Sequence, residues 1–157
     1  MGALSTLSAS VSSDPTASTR AALAGVVAAV AWIAAEPVAR RVFGTPFTDV
    51  RALGRPVSRR HWRSAGTVIH LANGVVAGIV FERLGLRGWK AGLAVFQAEH
   101  LVTWPLIVVV DRWHPDRRSG AWPPLLRNGR VFAQEAAVHA VFGVVLGLLL
   151  PRAAPNS

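Results

Sequence analysis

Residues 131–150 have the sequence VFAQEAAVHAVFGVVLGLLL and are followed by Pro151. A helix needs about 20 mostly apolar residues to cross the hydrocarbon core of a bilayer. This segment has that length, and Gln134, Glu135 and His139 are its only polar residues. It therefore predicts a membrane-spanning helix that ends at the proline.

Three further segments, at about 21–38, 65–82 and 90–110, have comparable length and composition. Of the 157 residues, 52% are hydrophobic and 16% are charged, and the mean hydropathy is +0.38. Four buried helices of a soluble protein are the alternative, but they would leave no amphipathic surface for water. We therefore expect an all-α, four-helix transmembrane bundle over 20–151, with a flexible tail at 1–19 and a short C-terminal tail at 152–157.

The basic residues predict how the chain threads the membrane. The net charge is +9, and Lys90 is the only lysine. Twelve arginines lie in the loops after the first and third spans, whereas five basic residues lie on the other side. Because basic loops resist translocation, we expect both arginine-rich loops in the bacterial cytoplasm and both termini away from it, in the plasma (inner) membrane. Anionic phospholipid headgroups are the expected partners of these loops, and nucleic acid is not.

An internal repeat relates the second and fourth spans. His70, Gly74 and Gly78 recur as His139, Gly143 and Gly147 with the same spacing. Glycines four residues apart let helix backbones approach closely in lipid, so these four glycines are candidate helix-packing residues. The repeat predicts two helical hairpins of similar design, and a homo-oligomer remains open.

Ionisable residues inside the predicted spans form the candidate site. Such groups are costly in hydrocarbon, so each one indicates a functional position. They are Glu36, His70, Glu99, His100, Glu135 and His139. The third span is the most polar, which predicts that it avoids lipid, and Pro105 predicts a kink in it.

Three interpretations of this cluster remain open. It could be a structural network in which Glu–His pairs and His–Asn73 or His–backbone hydrogen bonds satisfy one another. It could relay protons, because imidazoles and carboxylates at graded depth exchange them. It could also bind a metal or haem through His70, His100, Glu135 and His139, although no cofactor is the primary expectation. Without cysteine, a phosphate-binding loop or a catalytic triad, the sequence does not favour an enzyme.

The loops offer less chemistry. Residues 45–54, TPFTDVRALG, predict either a short interfacial helix or a solvated loop. A surface metal site at Asp111, His114 and Asp116 is less favoured than a basic interfacial loop, so these residues stay outside the candidate site.

Several short motifs resemble a family of small, uncharacterised bacterial four-helix inner-membrane proteins, the YagU-like proteins. The motifs are Ala35-Glu36, RVFGTPFTDVRALGR (41–55), HLANG (70–74), WHP (113–115) and HAVFGVVLG (139–147). The resemblance implies a four-span inner-membrane protein in which His70 and His139 are the histidines of the second and fourth spans. It implies no enzymatic activity. The HPDRR segment (114–118) and the Glu99-His100 pair depart from the family pattern.

Overall fold

The computed structural model describes residues 15–151, which are all-helical as predicted and contain no strand. The helices are α1 Pro15–Phe43, α2 Asp49–Val57, α3 Trp62–Arg83, α4 Trp89–Thr103, α5 Ile107–Trp113, α6 Pro115–Arg118 and α7 Gly129–Leu149. A short 3₁₀ turn at Trp104–Leu106 joins α4 to α5. Residues 15–19 belong to α1 and not to a flexible tail, because proline suits the first turn of a helix. The rest of the predicted N-terminal tail and the segment 152–157 lie outside the described residues.

Four helical segments are long and apolar enough to cross a membrane. They are α1, α3, the combined segment Trp89–Trp113 and α7, and each contains or closely matches one predicted span. Aliphatic side chains cover their outer faces: Val68 is 66% exposed and Val102 is 77% exposed. A soluble bundle would place polar residues there. These features indicate a multi-pass membrane protein.

The four spans are arranged in the order α3, α1, α7, α4. Helix α1 packs along α3 on one side and along α7 on the other, and α7 packs along α4. Helices α3 and α4 are consecutive in the chain, but they are not packed along each other. This arrangement leaves a cleft between α3 and α4.

Glycines lie where the paired helices approach most closely. A Cβ atom added at Gly74 would lie 2.6 Å from the carbonyl oxygen of Gly25 on α1. A Cβ atom added at Gly143 would lie 2.5 Å from the carbonyl oxygen of Gly92 on α4. Both distances are shorter than any van der Waals contact, so the backbones themselves touch. The bundle thus consists of two close pairs, α1 with α3 and α4 with α7.

The third span is interrupted at Pro105, as expected, and it is the least buried of the four spans within this chain, although its polarity predicted the opposite. In α4 only Gly92 and His100 are buried. Its polar side chains need few partners outside the helix: Gln97 Nε2 donates to the carbonyl of Ala136 on α7 at 2.8 Å, whereas Thr103 Oγ1 donates to the carbonyl of Glu99 in its own helix at 2.8 Å. A narrow polar stripe of this kind needs only one neighbouring helix.

The two arginine-rich loops pack together at one end of the bundle. Residues 49–57 form a helix, and Thr48 caps it by accepting from the amide of Arg51. Arg51 donates to both carboxylate oxygens of buried Asp116 at 2.8 Å. The ring of His114 stacks on Trp122, with centroids 4.5 Å apart.

Asp111 closes the second loop in the same region. Its carboxylate accepts from the amides of Leu125 and Leu126 at 2.8 Å and from the guanidinium of Arg117 at 2.7 Å. The carboxylates considered for a surface metal therefore hold the loop fold.

Candidate functional site: the polar centre of the bundle

The structure buries four of the six candidate residues: Glu36, His70, His100 and Glu135. The His139 side chain is 12% exposed, whereas that of Glu99 is 47% exposed. The six residues divide into two neighbouring groups. We call Trp32, His70, Glu99, His100 and His139 the histidine cluster, and Glu36, Asp49 and Glu135 the carboxylate cluster.

Trp32 on α1 lies at the middle of the histidine cluster. Its ring centroid lies 5.1 Å from that of His70 and 4.4 Å from that of His139, both in edge-on geometry. The rings of His100 and His139 are 4.7 Å apart. Imidazoles from α3, α4 and α7 are thus brought together around one indole.

His139 has an oxygen acceptor at each ring nitrogen. Nδ1 lies 2.7 Å from the backbone carbonyl oxygen of Glu135, and Nε2 lies 3.1 Å from Glu99 Oε2. A carbonyl oxygen can only accept, so Nδ1 carries a hydrogen. The Nε2 contact with Glu99 then becomes a hydrogen bond only when one of the two groups holds an additional proton. Both contacts are satisfied when His139 and Glu99 share an additional proton.

Asp49 connects the carboxylate cluster to the histidine cluster. Trp32 Nε1 donates to Asp49 Oδ2 at 3.0 Å, and the amide of Asp49 donates to Glu36 Oε1 at 2.5 Å. The side chain of Glu135 interacts with that of Asp49, and two carboxylates at close range repel each other unless a proton lies between them. The carboxylate cluster lies at the end of α7 that faces the arginine-rich loops.

Gln134 fixes the loop that carries Asp49. Its Nε2 donates to Glu135 Oε1 at 3.1 Å and to the carbonyl of Phe47 at 3.3 Å, and Thr45 Oγ1 donates to its Oε1. This fully buried amide thereby anchors the start of α2 against α7.

Sequence reasoning missed Trp32 and Asp49. Asp49 is the only acidic residue between Arg40 and Arg63, a segment rich in arginine. The isolation of Asp49 among arginines was a usable signal, but the contact between Asp49 and α1 depends on how the loop folds back. Trp32 carried no signal beyond the apolar pattern of its span.

The cleft between α3 and α4 has a volume of about 610 Å³. Both clusters contribute to its lining, together with apolar and aromatic side chains of α3, α4 and α7. Within the described part of the chain, three acids line it, Asp49, Glu99 and Glu135, together with the histidines His70, His100 and His139, and no lysine or arginine does. This composition contrasts with the net charge of +9 of the whole protein.

Two histidines and one amide in this region lack the partners that a purely structural network predicts. Among residues 15–151, Nε2 of His70 and Nε2 of His100 have no hydrogen-bond partner, although the backbone of Phe132 interacts with the His100 ring. Asn73 makes no hydrogen bond to a histidine and is exposed in the cleft. The network is thus only partly satisfied.

The metal or haem alternative is not supported by this arrangement. No three His, Asp or Glu side chains of the described residues are placed to hold a metal ion. Both ring nitrogens of His139 face protein oxygens instead. Comparison of the chain with protein-family models, curated proteins and solved structures gave no match.

Proposed function

We propose that this is a proton-linked multi-pass protein of the bacterial plasma membrane, related to the YagU-like proteins, in which the two clusters hold and relay protons. The observation that carries the proposal is the position of His139 between two oxygen acceptors, because both contacts are hydrogen bonds only when His139 and Glu99 share an additional proton. An imidazole next to a carboxylate can pass such a proton on, since histidine titrates near neutral pH.

The order of the groups supports a path. Glu99 is exposed in the cleft, and His139 contacts it at 3.1 Å. Trp32 contacts His139 edge-on and donates to Asp49, but an indole has a donor and no acceptor, so it positions these groups and does not carry the proton. Protons pass between the two clusters through the cleft that both line. The path runs from the cleft towards the arginine-rich end of the bundle.

We also propose that the arginine-rich end faces the cytoplasm and anionic lipid headgroups. Exposed arginines cluster at this end, including Arg59, Arg60, Arg63 and Arg118. Basic residues near a membrane surface attract anionic phospholipids at close range.

Proton flux into liposomes tests the relay. Purified protein is reconstituted with an internal pH-sensitive dye, and a pH gradient is imposed. We expect flux with the unmodified protein and its loss in His139→Gln, since an amide cannot relay a proton in this way. His61→Gln is the matched control, because His61 is exposed and outside both clusters. Absence of flux in the unmodified protein would instead support a structural network.

A further inference from the structure

The cleft exposes polar groups at membrane depth, where they need an occupant. The Glu99 side chain is 47% exposed on one wall, and Asn73 is exposed on the other. Both belong to segments long and apolar enough to span the membrane. His139 contacts one oxygen of Glu99 at 3.1 Å, but nearly half of that side chain stays exposed, and a partly exposed carboxylate in hydrocarbon is costly. Lipid chains alone are therefore poor occupants of this cleft.

The walls above these polar groups are apolar and aromatic. Phe96 on α4 lines the cleft and stacks on the buried Phe81 of α3, with ring centroids 6.4 Å apart, and Val80 and Leu86 also line it. Aromatic faces attract organic cations, and apolar walls favour a ligand that carries its own apolar groups. A volume of about 610 Å³ lies within the usual range for drug-sized ligands, about 300–1,000 Å³.

The charged residues that line the cleft determine which sign of charge a ligand should carry. Asp49, Glu99 and Glu135 line it, and no lysine or arginine of the described chain does. An anionic ligand would meet repulsion, whereas a cation would be attracted.

We propose that the cleft binds a lipophilic organic cation, with its charge beside Glu99 and its apolar groups between α3 and α4. This inference rests on the proposed function, because the cation takes the place of the proton held between Glu99 and His139. The titratable groups around Glu99 are His139 on α7, His100 on its own helix and His70 on the opposite wall. Cation binding therefore releases a proton, and the affinity rises with pH by linkage.

Two probes of the same shape and opposite charge test the ligand class: tetraphenylphosphonium and tetraphenylborate. Binding is measured by titration calorimetry on the full chain in mild detergent, with protein-free micelles subtracted. We expect the phosphonium to bind and the borate not to bind. Glu99→Gln should weaken phosphonium binding at least tenfold. Glu82→Gln is the matched control, because Glu82 pairs with Arg87 outside the cleft and its loss should leave the affinity unchanged.

Equal binding of the two probes would overturn the proposal, and so would phosphonium binding that Glu99→Gln leaves intact. The probe comparison uses the unmodified protein and does not depend on how the variant folds. If the phosphonium fails to bind while His139→Gln still abolishes proton flux, the ligand class is wrong and the relay stands. If binding depends on Glu99 but releases no proton and no flux occurs, the relay is wrong and the cation site stands.

Discussion

The titratable residues Asp116 and His139 differ in the kind of hydrogen-bond partner that surrounds them. Asp116 is fully buried, but its oxygens meet the guanidinium of Arg51, so its charge is compensated. His139 meets two acceptors instead, and no fixed cation of the described chain is among its hydrogen-bond partners. The first arrangement holds a loop in place, whereas the second is the one to which the proposed relay assigns a proton.

His114 lies outside the predicted spans and allows a prediction of how the free energy of unfolding depends on pH. Burial against Trp122 lowers the pKa of His114, although Asp116 partly opposes this, and its Nδ1 accepts from the Asp116 amide at 3.2 Å. Unfolded histidine titrates near pH 6.5. Just below about pH 6.5, His114 binds a proton in the unfolded chain but stays neutral in the folded loop. The free energy of unfolding should then fall by up to about 1.4 kcal/mol per pH unit until the lowered pKa is reached.

Thermal unfolding in detergent at pH 8 and pH 5.5 checks this effect. His114→Asn keeps a capping oxygen but cannot titrate, so its midpoint should fall less between the two pH values than that of the unmodified protein. Its stability at pH 8 will be lower because the stacking on Trp122 is lost. The same pH-dependent fall in both proteins would show that His114 does not contribute.

Six of the polar groups at the centre were predictable from one rule, that ionisable residues inside apolar spans are exceptional. The rule could not find Asp49, because that residue lies in a loop and enters the bundle only through contacts with Glu36 and Trp32. It also could not pair Glu99 with His139, since they lie on different helices whose rotation the composition does not determine.

At the scale of helices, length and hydropathy predicted the four spans, and the repeated spacing of histidine and glycine predicted related hairpins. The partner glycines, Gly25 on α1 and Gly92 on α4, could not be assigned from that spacing. Nor could the exposure of the third span, because composition gives the polarity of a helix but not the number of its neighbours.

Replacing glycine at the closest helix contact should destabilise the bundle. The Cβ of Gly143→Ala would meet the Gly92 carbonyl oxygen at 2.5 Å and force the backbones apart. The expected cost is about 1–3 kcal/mol. Gly129→Ala, in the same helix, has no atom within 4 Å of its new Cβ and should be neutral or slightly stabilising. Thermal midpoints in detergent compare the two, and equal midpoints would show that α4 and α7 can separate without cost.

The whole molecule has two distinct ends. Arg51 of the first arginine-rich loop binds Asp116 of the second, whereas the amide of Gly88 donates to the carbonyl of Leu150 at the other end. This arrangement requires an even number of crossings between the two loops.

Cysteine labelling tests this topology directly, because the natural chain contains no cysteine. Single cysteines at Ser58 and Ser119 should react with an impermeant reagent only from the cytoplasmic side. Arg83→Cys, exposed at the far end of α3, should react only from the opposite side. Labelling of Ser58→Cys and Ser119→Cys on different sides would rule out the arrangement.

The repeated hairpins differ at one equivalent position. Trp32 follows Gly25 by seven residues, and Glu99 follows Gly92 by seven residues. Each lies beside the histidine of its own hairpin, Trp32 beside His70 and Glu99 beside His139. One half of the molecule thus provides an indole where the other provides an acid. A dimer of identical hairpins would have two equal faces. The two halves of this chain carry different side chains at the equivalent position, so the molecule is asymmetric in the plane of the membrane.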